Sequence, residues 1–238
     1  MSSSNKVALQ PAYVLHTRAY RDTSLLVEVF TPEYGRLGLI ARGARSAKSR
    51  VRGVLQPFRS LLMSWAGRGE LHTLAAVEEA GRAPRLPGDR LIAGFYLNEL
   101  IMRMTQRSDP HMRLFAAYSD ALRALETSDQ LERTLRIFEK RLLDDLGYQL
   151  LLDREAGSGA PVDAGRQYSF LIERGPVEAV GVEYGGVSVG GASLLSLHHE
   201  DLTDEASLAD AKRLMRAVLS WYLGDRPLKS RELIFGRS

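Results

Sequence analysis

The first eighty residues alternate apolar and polar side chains with the two-residue period of β-strands. This pattern predicts five strands, at residues 12–20, 23–31, 36–42, 54–66 and 70–79. A turn at residues 31–35, with proline early and glycine late, separates the second strand from the third. Five short strands joined by turns indicate a small antiparallel barrel, either an OB-fold or, as the main competitor, an SH3-like barrel.

A linker with two prolines at residues 81–88 ends this pattern, and apolar residues then recur every three or four positions. The new spacing predicts amphipathic helices that begin at Asp89, near Asp109 and at Asp129, and a late helix at residues 207–223. Asp129 followed by Glu132 is typical of a capping box.

The glycine-rich stretch from 153 to 191 is predicted to be non-helical, with a hairpin formed by residues 168–172 and 177–182. The sequence therefore predicts an α+β fold. Its parts are an OB-fold barrel domain at 1–80, the linker at 81–88, and a mainly helical domain at 89–238 that contains the hairpin region.

The length of the chain, its lack of cysteine and its lack of long apolar stretches limit the classes of protein to which it can belong. The 238 residues are enough for one large or two small domains. The chain has no cysteine, which excludes disulfides and thiolate metal sites and fits a reducing compartment. No stretch of about eighteen apolar residues occurs, so a cytoplasmic protein without membrane spans is expected.

Charge is distributed unevenly along the chain. Residues 1–80 carry 11 basic and 6 acidic side chains, although the net charge of the whole chain is only +3. Seven of the basic residues fall in the segment 36–59, which contains no acidic residue. Its central part, from Gly43 to Gly53, is predicted to be a mobile loop. A positive loop on a strand scaffold is typical of contact with phosphate backbones, and a solvated charge run is the alternative.

If the loop binds nucleic acid, bases could stack on Phe58, Tyr34 or Tyr13, unless these rings belong to the core.

One motif resembles a catalytic one. Residues 186–190 have the GxSxG form of a hydrolase nucleophile elbow, centred on Ser188. That chemistry needs a strand-to-helix turn at the serine, followed by an acid and then a histidine. Here His198 and His199 precede Asp201, and no clear helix is predicted after the motif, so a chance match is expected.

The chain has no P-loop motif and no pair of histidines at metal-binding spacing, so no cofactor or metal site is predicted.

Several segments, taken in order, resemble the RecO family of bacterial DNA repair and recombination mediators. The matching segments are TSLLVEVFTPEYGRLGLIARGARS, GVLQPF, GRGELHTL, FYLNELI, LRIFEKRLLDDLGY, AGSGAPVD and PLKSREL. Together they extend over nearly the whole chain. The resemblance implies an OB-fold followed by a helical domain, and a protein that is not an enzyme.

The same resemblance implies a set of partners. Family members bind single- and double-stranded DNA and anneal complementary strands. They work with RecR, and in some species RecF, to load RecA onto DNA covered by the single-strand binding protein SSB, whose acidic C-terminal tail they contact. A cytoplasmic, nucleoid-associated location follows. Some members hold zinc with four cysteines. This chain has none, so residues 153–182 are expected to be held by packing alone.

The family's site residues fall on named positions of this sequence. The DNA contacts implied by the resemblance are Arg36, Arg42, Arg45, Lys48, Arg50 and Arg52. The implied contacts to the SSB tail are Arg136, Leu202, Lys212 and Arg213. For Arg136 the alternative is an ion pair with Glu132 or Glu139 on the same helix.

Two other functions stay open at this point. The chain could be a protein adapter whose barrel binds a peptide and not nucleic acid, or a serine hydrolase that uses Ser188. The adapter predicts partner binding that does not depend on salt. The hydrolase predicts an activity that a Ser188→Ala variant lacks.

Overall fold

The computed structural model describes residues 6–179, 185–224 and 228–230. Contacts group the chain into two compact units, Met1–Glu126 and Thr127–Ser238. This grouping places residues 89–126 in the same compact unit as the barrel. The domain boundary that the sequence predicts at residues 81–88 stays a prediction.

The first unit contains a closed barrel of five strands. These are β1 (Lys6–Tyr20), β2 (Ser24–Thr31), β3 (Gly35–Ala41), β4 (Leu61–Ala66) and β5 (Leu71–Glu79). They follow one another around the barrel in the order β1-β2-β3-β5-β4, with β1 also paired to β4. The β3–β5 pair is parallel and the other pairs are antiparallel. This is the arrangement of an OB-fold, and that prediction is confirmed.

The barrel interior is filled by the inward side chains of every strand, among them Val14, Val27, Leu39, Met63 and Trp65. In contrast to the simple alternation, β2 is buried along both faces from Leu26 to Thr31. The reason is that two helices of the same unit lie over β1 and β2, and that Arg36 and Arg107 pair with Glu28 on the outer face of β2.

These helices are α2 (Asp89–Met104) and α3 (Met112–Thr127). Phe115 of α3 packs its ring 5.3 Å from that of Tyr13 and 5.6 Å from that of Phe30. Asn98 of α2 donates to a backbone carbonyl of β1 (2.9 Å) and accepts from the Tyr118 hydroxyl (2.5 Å). Because a buried amide needs its partners, this pair of bonds fixes how the helices sit on the barrel.

The named elements among the described residues of the second unit are three helices and the strands of a small sheet. These elements are α4 (Leu131–Asp145), β6 (Gln167–Leu171), β7 (Gly175–Glu178), β8 (Val187–Gly190), α5 (Gly191–His198) and α6 (Glu205–Leu223). The antiparallel β6–β7 hairpin and the late helix are confirmed, although residues 180–182 of the predicted hairpin lie outside the described residues. No helix in the described ranges is long and apolar enough to cross a membrane.

Two local predictions are wrong, and two elements were missed. The fourth strand begins at Leu61 rather than at residue 54, because residues 51–54 form the helical turn α1 (Val51–Val54) and Phe58 has a φ of +69°. The Asp129 capping box does not form, since Gln130 is the N-cap of α4 and makes no side-chain capping bond. Strand β8 and helix α5 were not predicted.

The region after α4 is held by hydrogen bonds as well as by packing, so the expectation of packing alone is wrong. The backbone N–H of Val162 donates to the carbonyl of Asp153 (2.9 Å), which closes the loop 153–162. The fully buried hydroxyl of Tyr168 accepts from the N–H of Asp163 (2.9 Å). Burial raises the pKa of Tyr168, which keeps this hydroxyl neutral.

Candidate nucleic-acid interface

The basic loop, residues 42–60, connects β3 to β4 and is more ordered than the predicted mobile loop. The N–H of Arg45 donates to the carbonyl of Thr23 in the β1–β2 turn (2.7 Å). Ala44 and Leu55 are buried in the barrel core, and the turn α1 lies between them along the chain. The loop is therefore anchored near both ends, and its polar side chains point outward.

Five cations of the basic loop are exposed: Arg42, Arg45, Lys48, Arg50 and Arg52. Within the described part of the chain, none of these five forms an ion pair with a carboxylate. The guanidinium of Arg45 donates only to a backbone carbonyl, that of Arg21 (3.1 Å). Because the charge of this surface is not neutralised locally, it is available to a polyanion.

Arg36 behaves differently, and its geometry argues against a DNA contact. Its Nη1 lies 3.6 Å from Oε2 of Glu28, and its Nη2 donates to the carbonyl of Thr105 (2.9 Å). Burial lowers the pKa of Arg36, Glu28 opposes that shift, and neighbouring Arg107 adds to it. Arg36 therefore joins the barrel wall to the segment before α3.

Two of the three aromatic residues predicted to stack on bases are buried. Tyr13 packs under α3, and Phe58, at the end of the loop, packs against α2, so both rings belong to the core, which was the alternative to base stacking. Tyr34 is half-buried, with its ring 5.3 Å from Trp65, and lines a cavity of about 260 Å³. Tyr34 lies just before β3 and the basic loop begins just after β3, so the length of this strand, roughly 20 Å, separates Tyr34 from the start of the loop.

In the second unit, Arg136 is buried with 1% of its surface exposed. Its Nη2 lies 2.8 Å from Oε1 of Glu139, which is also buried. This is the ion pair that the sequence offered as the alternative. A charge buried in this way is paired within α4 and is not open to a peptide.

The first turn of α4 contacts Lys212 and, separately, the segment that leads into Leu202, which are two other predicted tail contacts. Lys212 on α6 donates to Oε1 of Glu132 (2.9 Å) and keeps about half of its side chain exposed. One residue further along α4, Arg133 donates to the two backbone carbonyls that precede Leu202 (2.7 and 3.0 Å). Leu202 itself is buried.

Arg213, the fourth predicted tail contact, turns to the small sheet instead. Its Nη2 donates to the carbonyl of Ser188 (2.7 Å) and pairs with Asp210 (2.6 Å). Partial burial acts to raise the pKa of Asp210, but hydrogen bonds from the Gly190 N–H, Ser193 and Arg213 bring it below its ordinary value. Arg213 is thus engaged away from Lys212.

The GxSxG motif lacks the elbow geometry. A helix does follow it, contrary to the sequence-based expectation, since α5 starts at Gly191. However, Ser188 lies inside β8, opposite Ser169 of β6, and not on the turn. Among the described residues, no group of three histidine, aspartate or glutamate side chains could hold a metal ion.

A charge network that the sequence did not indicate surrounds Glu200. Its carboxylate accepts from Arg141 (2.5 Å) and Lys140 (3.2 Å), and Lys140 also pairs with Asp144. Partial burial acts to raise the pKa of Glu200, yet Arg141 and Lys140 hold it below its ordinary value. Sixty residues separate Glu200 from Lys140 in sequence, so no local pattern could have revealed the contact.

Comparison with known proteins decides the family. The family model described as recombination protein O, N terminal, matches residues 6–81, and the one for its C terminal matches residues 85–232. The chain belongs to the RecO family. The resemblance noted from the sequence is thereby confirmed.

Relatives match the chain over nearly its whole length. The DNA repair protein RecO of Nitrosococcus oceani is 50% identical over 229 residues, which cover 96% of this chain and 93% of that protein. Its namesake from Aromatoleum aromaticum is 45% identical, with 98% of each chain covered. A third, from Coxiella burnetii, is 45% identical over 98% of this chain and 100% of its own length.

Proposed function

We propose that this chain acts in DNA repair and homologous recombination by binding DNA through the basic loop and annealing complementary strands. The observation that carries the proposal is the group of five exposed loop cations without carboxylate partners in the described chain. The names of the relatives, which are DNA repair proteins, support it.

Binding through these cations is tolerant of sequence, because a phosphate contact carries no information about the base. If each of the five neutralises one phosphate, the logarithm of the affinity falls with the logarithm of salt at a slope of about −3.5 for single strands. Annealing needs no catalytic residue. It needs two strands held with their charge screened and their bases free to pair.

The proposed partners are those of the family: RecR, the RecA that is loaded onto SSB-coated DNA, and RecF in some species. For the SSB tail we propose a site at the first turn of α4, with Lys212 as its cation, whereas Leu202 is buried and belongs to the packing of the second unit. An acidic peptide that ends in an aromatic carboxylate suits a cation beside an apolar surface.

The test is annealing of complementary fluorescent oligonucleotides coated with SSB, with and without this protein. We expect faster annealing with the wild type and a loss of most of that gain in the Arg42→Glu, Arg45→Glu double variant. The matched control reverses two exposed arginines of α3, Arg113→Glu with Arg123→Glu, and should anneal like the wild type. Equal annealing rates with and without the wild-type protein would contradict the proposal.

A further inference from the structure

An exposed aromatic ring stands beside the end of the basic loop. Phe95, on α2, has 44% of its surface exposed. Its ring lies 5.0 Å from that of Phe58, centroid to centroid, with 65° between the planes. Phe58 belongs to the basic loop and is buried, so the loop ends against the helix that carries Phe95.

The contact is fixed by a strained residue. Phe58 has a φ of +69°, a region that a bulky side chain rarely enters. Its ring lies over Gly94, where a Cβ atom would come within 2.9 Å of Cε1 of Phe58. Only a glycine leaves the room for this packing, and the packing offsets the backbone strain of Phe58. Phe95 is consequently held in one place relative to the loop.

The ring is also within reach of the same nucleic acid as the loop cations. Arg52, the last of the five, precedes Phe58 by six residues, which span roughly 20 Å at most when fully extended. The turn α1 covers part of that stretch and shortens the distance. Proteins that bind single strands combine such a positive surface with aromatic rings on which bases stack.

We propose that the ring of Phe95 stacks on an unpaired base of single-stranded DNA whose phosphates are bound by the basic loop. This inference rests on the proposed DNA binding. An exposed apolar ring at the end of a loop that carries unneutralised cations matches a ligand with an anionic backbone and apolar faces, which is a single strand. In a duplex the base faces are covered by their neighbours, so duplex DNA gains only the phosphate contacts.

The test measures the affinity of the full chain for three ligands: a single-stranded oligonucleotide that carries 2-aminopurine, the same length of strand with abasic sites in place of bases, and a duplex. The variants are Phe95→Ala and Phe95→Trp. The matched control is Met112→Ala, which removes another exposed apolar side chain from the same unit. Circular dichroism melting of each variant reports on folding.

For Phe95→Ala we expect a loss of roughly 5- to 150-fold in affinity for the single strand, the range of one lost base stack. Affinity for the abasic strand and the duplex should stay within about twofold, because phosphate contacts are unchanged. Phe95→Trp should bind the single strand at least as well as the wild type. The wild type should quench 2-aminopurine and Phe95→Ala should not.

Single-strand affinity that is equal in Phe95→Ala and the wild type would overturn the inference while DNA binding by the loop stands. In that case Phe95 does not contact the DNA, and a protein partner is what its exposed ring could still bind. An equal loss on the single strand, the abasic strand and the duplex would also overturn it. A wild-type protein that binds none of the three ligands would overturn the proposed function itself.

Discussion

Glu28 on β2 and Arg36 on β3 form an ion pair across neighbouring strands, with 3.6 Å between Oε2 and Nη1. Arg107 binds the other oxygen of the same carboxylate. One carboxylate thus holds two arginines, and both belong to the fold. Arg36, which the sequence analysis grouped with the DNA contacts, therefore differs from the loop cations, because its guanidinium is already paired within the fold.

Replacing Glu28 with glutamine should destabilise the protein without weakening DNA binding. Two partly buried arginines would lose their counter-charge, and we expect a loss of roughly 2 to 3 kcal/mol in the free energy of unfolding. Urea denaturation measures this loss, and Glu33→Gln, in the exposed β2–β3 turn, is the control. A variant as stable as the wild type would show that the pair contributes nothing.

Arg136→Ala should destabilise the second unit, because it leaves the buried carboxylate of Glu139 without its cation. Removal of one partner from a buried pair costs about 3 to 5 kcal/mol. The double variant Arg136→Met, Glu139→Leu should recover most of this loss, since both members of the buried pair are removed together. Thermal unfolding of the three proteins checks the prediction. Wild-type stability in Arg136→Ala, with lost binding of an SSB tail peptide, would instead favour a direct contact.

The lowered pKa of Glu200 predicts an acid-sensitive contribution to stability. A carboxylate whose pKa is lower in the folded than in the unfolded state contributes stability above its ordinary pKa of 4.5, and that contribution disappears as pH falls through the folded value. Glu200→Gln should therefore cost about 1 kcal/mol at neutral pH and almost nothing in strong acid. Urea unfolding of both proteins between neutral and acidic pH measures the difference. A gap that stays constant with pH would contradict the assignment.

Lys212→Ala should weaken binding of a peptide that copies the SSB tail. An exposed charge contact of this kind contributes about 1 kcal/mol, or roughly fivefold in Kd. Fluorescence polarisation with a labelled peptide measures the change. Arg174→Ala, which removes an exposed cation from the β6–β7 turn, is the control and should bind like the wild type. If both variants lose the same affinity, the effect is one of net charge and not of a site.

The OB-fold was predictable because its signals are local: strands with a two-residue period, and turns marked by proline and glycine. The start of β4 was not, since Phe58 adopts its left-handed conformation only when its ring can pack over Gly94, which lies 36 residues later. The same limit applies to charge. The sequence locates the arginines, but only the fold shows that Glu28 holds Arg36 while Arg42 stays exposed.

Phe95, the proposed stacking residue, could not be predicted from the sequence either. Tyr13 and Phe58 lie within predicted strands, and packing against α2 or α3 buries both rings. Phe95 lies in the apolar pattern of α2, which predicts a core position, yet it is exposed. Packing between distant segments decides which ring faces solvent, and a single sequence does not contain that information.

The most direct test of the account is a salt titration of single-stranded DNA affinity for the wild type and the Arg42→Glu, Arg45→Glu variant. The account predicts a wild-type slope of about −3.5 in log–log form and a slope of about −2.1 for the variant, which keeps three loop cations. Affinity that does not change with salt, or an identical slope in both proteins, would contradict the claim that the basic loop binds the DNA backbone.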